Sequence, residues 1–283
     1  MILVTGATGN VGRPLVARLT AEGHEVRGLT RNPDRARLPE GATPVAADDL
    51  GAALDGASAV FLNPAAFWHG PGDLLQLAAE RGVKRMVTLS SSSVVQAIPT
   101  VDPHNPIAEH HRSLENAVET AAAAAGMEWT HVRPGMFATN TLAWAEGVRR
   151  DGVVRAAHPR AHATPIHEDD IAAVAVLALT GALGGSGATP VLTGPESLTQ
   201  ADQLRLIAEA TGRNLRFEEI PQEEARAGMV ADGTPAGIAD VLLDMAARSV
   251  DTPAEVSPGV EELTGRPART FAQWARDHAE DFR

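Results

Sequence analysis

A glycine-spaced turn close to the first residue constrains this chain more than any later feature. Gly6-Ala7-Thr8-Gly9-Asn10-Val11-Gly12 follows the apolar run Ile2-Leu3-Val4-Thr5 and opens an amphipathic stretch from Arg13 to Ala21. Glycine at such a turn admits positive φ, and the missing side chains let backbone N–H groups approach an anion. A helix that begins at once adds unsatisfied donors and the positive end of its dipole at the same point. Strand, turn and helix in this order are the context in which the motif holds a dinucleotide pyrophosphate; without it the turn would be only a tight connection.

The same rhythm continues through the first half. Strands are expected at Glu25 to Leu29, Ala59 to Leu62, Arg85 to Leu89 and Trp129 to Val132, with helices at Asp73 to Arg81 and His110 to Ala125. Strands alternating with helices of this length build βαβ units and a parallel sheet, and right-handed crossovers cover both faces. The expected fold is therefore α/β, a doubly wound parallel sheet of Rossmann type, over residues 1–182. A smaller, mainly helical C-terminal part is expected over 183–283, with 139–165 contributing to a substrate pocket. Gly184-Gly185-Ser186-Gly187 reads as a flexible link between them, and Leu198 to Asp202 as a capped helix start. Phe271, Trp274, His278 and Phe282 form an aromatic stripe, read as packing, with substrate contact as the other possibility.

Composition removes several functions. A net charge of −12 disfavours nucleic acid and anionic membrane as partners, leaving a small-molecule substrate and an open question over a homodimer. The chain has no cysteine, which fits a reducing cytoplasm and excludes thiol nucleophiles and cysteine metal sites. Its longest apolar stretches are too short to span a bilayer. Histidines cluster at His104, His110 and His111 and at His158, His162 and His167, but without a metal-ligand spacing, so no metal is expected. His167-Glu168-Asp169-Asp170 instead reads as the cap of a helix starting near Ile171.

The end of the second strand bears on the cofactor. An NAD-selective site carries a carboxylate there for the ribose 2′-OH. This chain has Leu29-Thr30-Arg31 and no acid until Asp34. Arg31 is suited to a 2′-phosphate, so NADP(H) is expected in preference to NAD(H), with a merely solvated arginine as the plain alternative.

With the glycine turn and Arg31 go Val87-Thr88-Leu89-Ser90-Ser91, Arg133-Pro134-Gly135-Met136-Phe137, His167 to Ile171, Leu192 to Glu196 and Gly265 to Trp274. In this order and spacing the chain resembles an NmrA-like member of the atypical short-chain dehydrogenase/reductase superfamily over nearly its whole length. Gly6, Gly9 and Gly12 let the backbone approach the pyrophosphate, and the resemblance implies that Thr8, Asn10 and Val11 line its path. It places Asp48 and Asp49 at the adenine end and Leu62, Asn63 and Pro64 beneath the adenosine ribose. It also implies that Ser90 and Ser91 close the site and that Pro134, Gly135 and Phe137 border the nicotinamide.

The chain contains no tyrosine, and Lys84 is its one lysine. The tyrosine–lysine pair that protonates a carbonyl in ordinary members of that superfamily is therefore absent. The resemblance puts Ile107 at the tyrosine position and His111 at the lysine position. His111 and Ser91 are the candidate catalytic residues, His111 as a ribose anchor or as an acid near neutral pH. Phe67, Trp68, Met136 and Trp144 are candidates for a flat substrate pocket, although core packing would also use such residues. The expected function is an NADPH-dependent oxidoreductase acting on a planar unsaturated acceptor: a quinone, imine, enone or azo compound. The alternative is a catalytically silent NADP(H) sensor acting through a protein partner.

Overall fold

A computed structural model describes residues 1–67, 70–95 and 105–283. The sheet begins with β1 (Ile2–Thr5), and the glycine turn leads into α1 (Gly12–Ala21). Next come β2 (Val26–Thr30), β3 (Ala42–Ala46), α2 (Leu50–Leu54), β4 (Ala59–Leu62) and α3 (Gly72–Glu80). After these come β5 (Arg85–Leu89), α4 (Pro106–Ala125) and β6 (Glu128–Pro134). The strand β3 was not expected; only half-buried and interrupted by Pro44, it gives no clear alternation. Helix α4 starts one turn earlier than His110, because the Asn105 side chain accepts from the Ile107 and Ala108 amides and Pro106 follows it.

The next elements are α5 (Ala145–Asp151), β7 (Val153–Ala156), β8 (His162–Ala163) and α6 (Glu168–Thr180). Two short strands, β9 (Val191–Leu192) and β10 (Leu198–Thr199), precede α7 (Gln200–Thr211) and β11 (Arg216–Glu219). The chain closes with α8 (Gln222–Ala231), α9 (Ala236–Arg248), α10 (Gly259–Thr264) and α11 (Phe271–Asp277).

Seven parallel strands lie in the order β3-β2-β1-β4-β5-β6-β9. The crossovers reverse between β1 and β4, the position where open α/β sheets bind ligands beyond their strand ends. One face is covered by α1 and α6 around Leu15, Val16, Phe61, Val87, Ile171 and Val174. The other is covered by α3 and α4 around Leu62, Leu74, Met86, Leu114 and Val118. The segment 184–187 is not a free link: the Ser186 hydroxyl accepts from the Trp129 amide at 3.1 Å, and the Gly187 amide donates to the Trp129 carbonyl at 2.9 Å. Edge pairing with β6 orders a stretch whose composition alone reads as flexible, and it leads into β9.

The stretch after β6 folds with the C-terminal part, since β7 pairs with β11 and β8 with β10. A third apolar cluster there holds Leu204, Ile207, Phe271, Trp274 and Phe282. The aromatic stripe is packing: Phe271, Trp274 and Phe282 are all buried. A clasp ties this part to the N-terminus of α6. There His167 caps the helix as expected, its side chain accepting from the Asp169 amide. Glu168 accepts from Trp274 Nε1 at 3.1 Å and lies 2.7 Å from His278 Nε2, while the fully buried Asp170 accepts from the Arg269 amide and guanidinium.

Candidate functional site

The glycine turn is shaped by what a side chain would strike. Gly6 adopts φ +64, and a Cβ there would lie 2.6 Å from Asn63 Nδ2. A Cβ on Gly12 would overlap the Gly6 carbonyl oxygen and lie 2.8 Å from Ala7 Cα, so the first turn of α1 folds directly onto the loop. The loop closes by the Gly9 amide donating to the Gly6 carbonyl at 3.0 Å. Val11, at the N-cap, offers no capping side chain, and no acid stands in the first turn of α1. Thr8, Gly9 and Asn10 are exposed beside this end. A glycine-opened cradle before a helix end lacking its own anion fits a pyrophosphate. The turn is braced from below by Thr5, whose hydroxyl donates to the Phe61 carbonyl and accepts from the Asn63 amide. Asn63 then caps the turn through Pro64 by accepting from the Ala65 amide. Leu62 is fully buried, so only its backbone can face a ligand.

Arg31 is exposed just beyond β2, and among the described residues no carboxylate pairs with it. Arg13 Nη1 donates to the Arg37 carbonyl at 2.9 Å, clipping the loop after β2 to α1. At the far edge, Asp49 caps α2 by accepting from the Ala52 amide at 2.9 Å. Asp48 is exposed, and both aspartates line an open hollow of about 380 Å³ against Asp73, Gln76 and Leu77 of α3. None of the residues lining that hollow belongs to β5 or β6.

At the ends of β5 and β6 the organising group is Glu115, on the buried face of α4. The Ser90 hydroxyl donates to its Oε1 at 2.5 Å, and Arg133 donates to both oxygens, from Nε at 2.8 Å and from Nη2 at 2.7 Å. Burial opposes ionisation of Glu115, but the bonds from Arg133 and Ser90 outweigh it and hold the carboxyl below the usual glutamate range. One turn towards the N-terminus of α4, His111 has a buried Nδ1 without a partner among the described residues. Burial, with the neighbouring His110, pushes its imidazole down to about 4, against the pull of Glu115. A lowered pKa favours the neutral imidazole at pH 7, which can still donate or accept a hydrogen bond as a ribose anchor would, and speaks against a role as acid near neutrality. Ser91 accepts from the Ser93 amide and hydroxyl and so caps the turn after β5.

Pro134, Gly135 and Met136 are held beside β9 and Ile166: the Gly135 amide donates to the Leu192 carbonyl, and the Met136 carbonyl accepts from the Ile166 amide, each at 2.8 Å. Phe137 is half-buried against the α1–α6 core. Phe67 packs partly against the α3–α4 core. Trp144 sits in the C-terminal cluster, edge-on to Phe217 with ring centroids 6.3 Å apart. Trp68, like His69 and His104, lies outside the described residues. Among the described residues no group of His, Asp and Glu could hold a metal ion, and no helix is long and apolar enough to cross a membrane.

Sequence reasoning passed over Glu115 and Arg133 as site residues. The signal was present as spacing. His111, Glu115 and Glu119 recur every fourth residue on α4, while His131 and Arg133 alternate on β6. The two rows meet face to face. His131 is fully buried against Trp129, with Nε2 3.4 Å from Glu119.

Residues 6–181 match the model of a family described as NAD(P)H-binding. The chain is 40% identical to (4-alkanoyl-5-oxo-2,5-dihydrofuran-3-yl)methyl phosphate reductase of Streptomyces griseus, over 100% of this chain and 99% of that one. It is 34% identical to the NAD(P)H azoreductase of Xenophilus azovorans, again over 100% and 99%. Among solved structures, triphenylmethane reductase from Citrobacter sp., complexed with NADP(H), superposes with a TM-score of 0.78 at 18% identity, covering 99% of this chain and 100% of that one. An NADPH-dependent quinone oxidoreductase of Escherichia coli gives 0.75 at 23% identity, covering 98% and 99%. At these identities the two structures speak for the fold.

Proposed function

The chain belongs to the NAD(P)H-binding family, as an NmrA-like, atypical short-chain dehydrogenase/reductase, and on that premise we propose that it reduces a conjugated, electron-poor acceptor with NADPH. The coarser statement, an NAD(P)H-dependent reductase, stands on the family and on full-length relatives that are reductases by name. The finer one rests on a single observation: none of the side chains singled out at the acceptor end is a strong acid near neutral pH. Tyrosine is absent, and His111 is neutral. Ser90 spends its proton on Glu115, and Glu115 is ionised and accepts from Arg133. Bound NADPH would supply the hydride. The acceptor must then tolerate weak acid catalysis, as enones, quinones, azo compounds and iminium ions do, because their conjugation stabilises the developing charge. The enone is favoured within that set, since the 40% identical relative is named for an unsaturated lactone ring.

In this reading Gly6, Thr8, Gly9, Asn10, Val11 and Gly12 hold the pyrophosphate. Arg31, aided by Arg13, holds the 2′-phosphate, and Asn63 and Pro64 lie beneath the adenosine ribose. Ser90, Pro134, Gly135 and Phe137 border the nicotinamide, and His111 and Ser91 offer neutral hydrogen bonds near it. Phe67 and Met136 would line the acceptor pocket, while the ring of Trp144 is already engaged by Phe217. Positioning, rather than proton donation, would supply most of the rate.

The test follows NADPH absorbance against butenolides and other enones, quinones, azo dyes and iminium ions. The expected result is fastest turnover on an enone and slower turnover with NADH. An enzyme that reduces only simple, unconjugated ketones would refute the reading, because that reaction needs an acid that none of the described side chains named above supplies.

A further inference from the structure

Glu115 lies in no part of the dinucleotide cradle, yet it is buried at 3% exposure beside the strand ends where the nicotinamide half must lie. A buried carboxylate is costly unless its partners are fixed, and here both partners lead to the proposed site. Arg133 is the residue before Pro134 and Gly135. Ser90 gives its single hydroxyl proton to Glu115 Oε1, at 2.5 Å. An ionised carboxylate only accepts, so the direction of this bond is settled, and Ser90 Oγ keeps only lone pairs for any further partner.

We propose that Glu115 is a positioning residue that sets Ser90 as a hydrogen-bond acceptor for a hydroxyl of the nicotinamide ribose. Thus Glu115, Arg133 and Ser90 take over the ribose-anchoring part of the work that a tyrosine–lysine pair would do. The proposal rests on the reading that Ser90 borders the nicotinamide half of the cofactor.

The physics separates two ways of disturbing the network. Replacing Glu115 and Arg133 together by Met removes both buried charges at similar volume, a change that cores commonly tolerate, and leaves Ser90 free to rotate. Glu115→Gln unsettles the bond instead. Arg133 donates to both oxygens and Ser90 to Oε1, so either orientation of the amide turns its NH₂ against an Arg133 donor, and the acceptor that fixes the Ser90 proton is no longer held.

The experiment is a double-mutant cycle read by calorimetric binding of NADPH to the protein without acceptor, alongside thermal melting. Ser90→Ala should weaken NADPH binding about fivefold, the value of one ordinary hydrogen bond. The paired Met variant and Glu115→Gln should each weaken it by a similar factor, and adding Ser90→Ala to either should change nothing more. Adenosine 2′,5′-bisphosphate, which lacks the nicotinamide nucleoside, should bind every variant equally. If Ser90→Ala alone leaves NADPH affinity intact, the placement of Ser90 is wrong and this inference falls with it. If Ser90→Ala costs the same factor with and without Glu115, the placement survives and the role given to Glu115 is overturned. Equal weakening of the bisphosphate would also overturn it, by showing a general loss of structure. Should the paired Met variant fail to fold, the Glu115→Gln arm carries the same cycle.

Discussion

At the ends of β1 and β2 the site is shaped by backbone, whereas at the ends of β5 and β6 it is shaped by side chains. The first region depends on Gly6 and Gly12 having no Cβ, and on amides at an uncapped helix start. The second depends on Glu115, Arg133 and Ser90, charged and polar groups removed from water and satisfied by one another. In the proposed reading the backbone region takes the phosphate chain, while the side-chain region can be retuned one residue at a time and would select the acceptor. A change to the first should be close to all-or-none; a change to the second should be graded.

The largest effect expected is Gly12→Ala. Its Cβ would meet backbone atoms of Gly6 and Ala7 that cannot move without opening the turn. Overpacking of this kind costs about 3 kcal/mol or more, so the variant should melt well below the parent and bind NADPH at least about 100-fold more weakly. Gly9→Ala supplies the contrast. Its Cβ would lie 3.3 Å from the Gly6 carbonyl oxygen, which a small shift accommodates, so melting should barely change while NADPH affinity still falls. If Gly12→Ala bound NADPH normally, the backbone account of this region would be wrong.

Next in size is Arg31→Ala. A lost charge-assisted bond to a phosphate is worth roughly 10-fold to 100-fold in affinity. The ratio of NADPH to NADH affinity should fall by that factor with no change in melting temperature, since Arg31 is exposed and makes no ion pair among the described residues. An unaltered ratio would assign the 2′-phosphate to another cation, with Arg13 the first to examine because Arg37 already fixes it.

The two regions also differed in how far they could be read from residues alone. The glycine spacing carries its own geometry, because each glycine marks a place where a Cβ cannot fit, and the strand, turn and helix sequence followed directly. The parallel sheet with helices on both faces followed from the same alternation, while the strand order came only from the structure. The short strands β7 to β11 did not, since two-residue or edge strands have no period to detect. The network at β5 and β6 was hidden for another reason. Glu115 and Arg133 are charged residues that composition places on the surface, and only the docking of α4 on β6 puts them inside. His111 was legible as a candidate but its charge was not, because burial decides it.

A smaller effect concerns that histidine. With an imidazole near pKa 4, kcat/KM should carry no ionisation from His111 between about pH 5.5 and 8, where a free histidine would titrate. His111→Gln should alter the rate by only a few-fold and leave the shape of the pH profile unchanged. A limb near pH 6.5 in the parent that vanishes in His111→Gln would restore it as the acid and move it from the graded to the all-or-none side.

The smallest effect tests whether side-chain regions differ among themselves. Glu115 faces an arginine, while Glu168 faces His278, which lies between it and Asp281 at 2.7 and 2.8 Å. Burial opposes the charge on His278, but the bonds to Glu168 and Asp281 outweigh it and raise its pKa. A raised histidine stabilises the fold fully below its unfolded pKa of about 6.5 and loses that contribution as pH climbs through the folded value. Glu115 has the opposite sign, its contribution being lost only in acid as pH falls through its lowered pKa. Across neutral to mildly alkaline pH the clasp at α6 should therefore loosen while the network under Ser90 stays intact. Melting temperature should drop by about 2 °C over that range in the parent and stay flat in His278→Gln, which keeps the ring's size class without its charge. Parallel curves for parent and variant would mean that the charge on His278 adds nothing to the clasp, which the Trp274–Glu168 bond, the Arg269–Asp170 pair and the packing of Trp274 and Phe282 then hold.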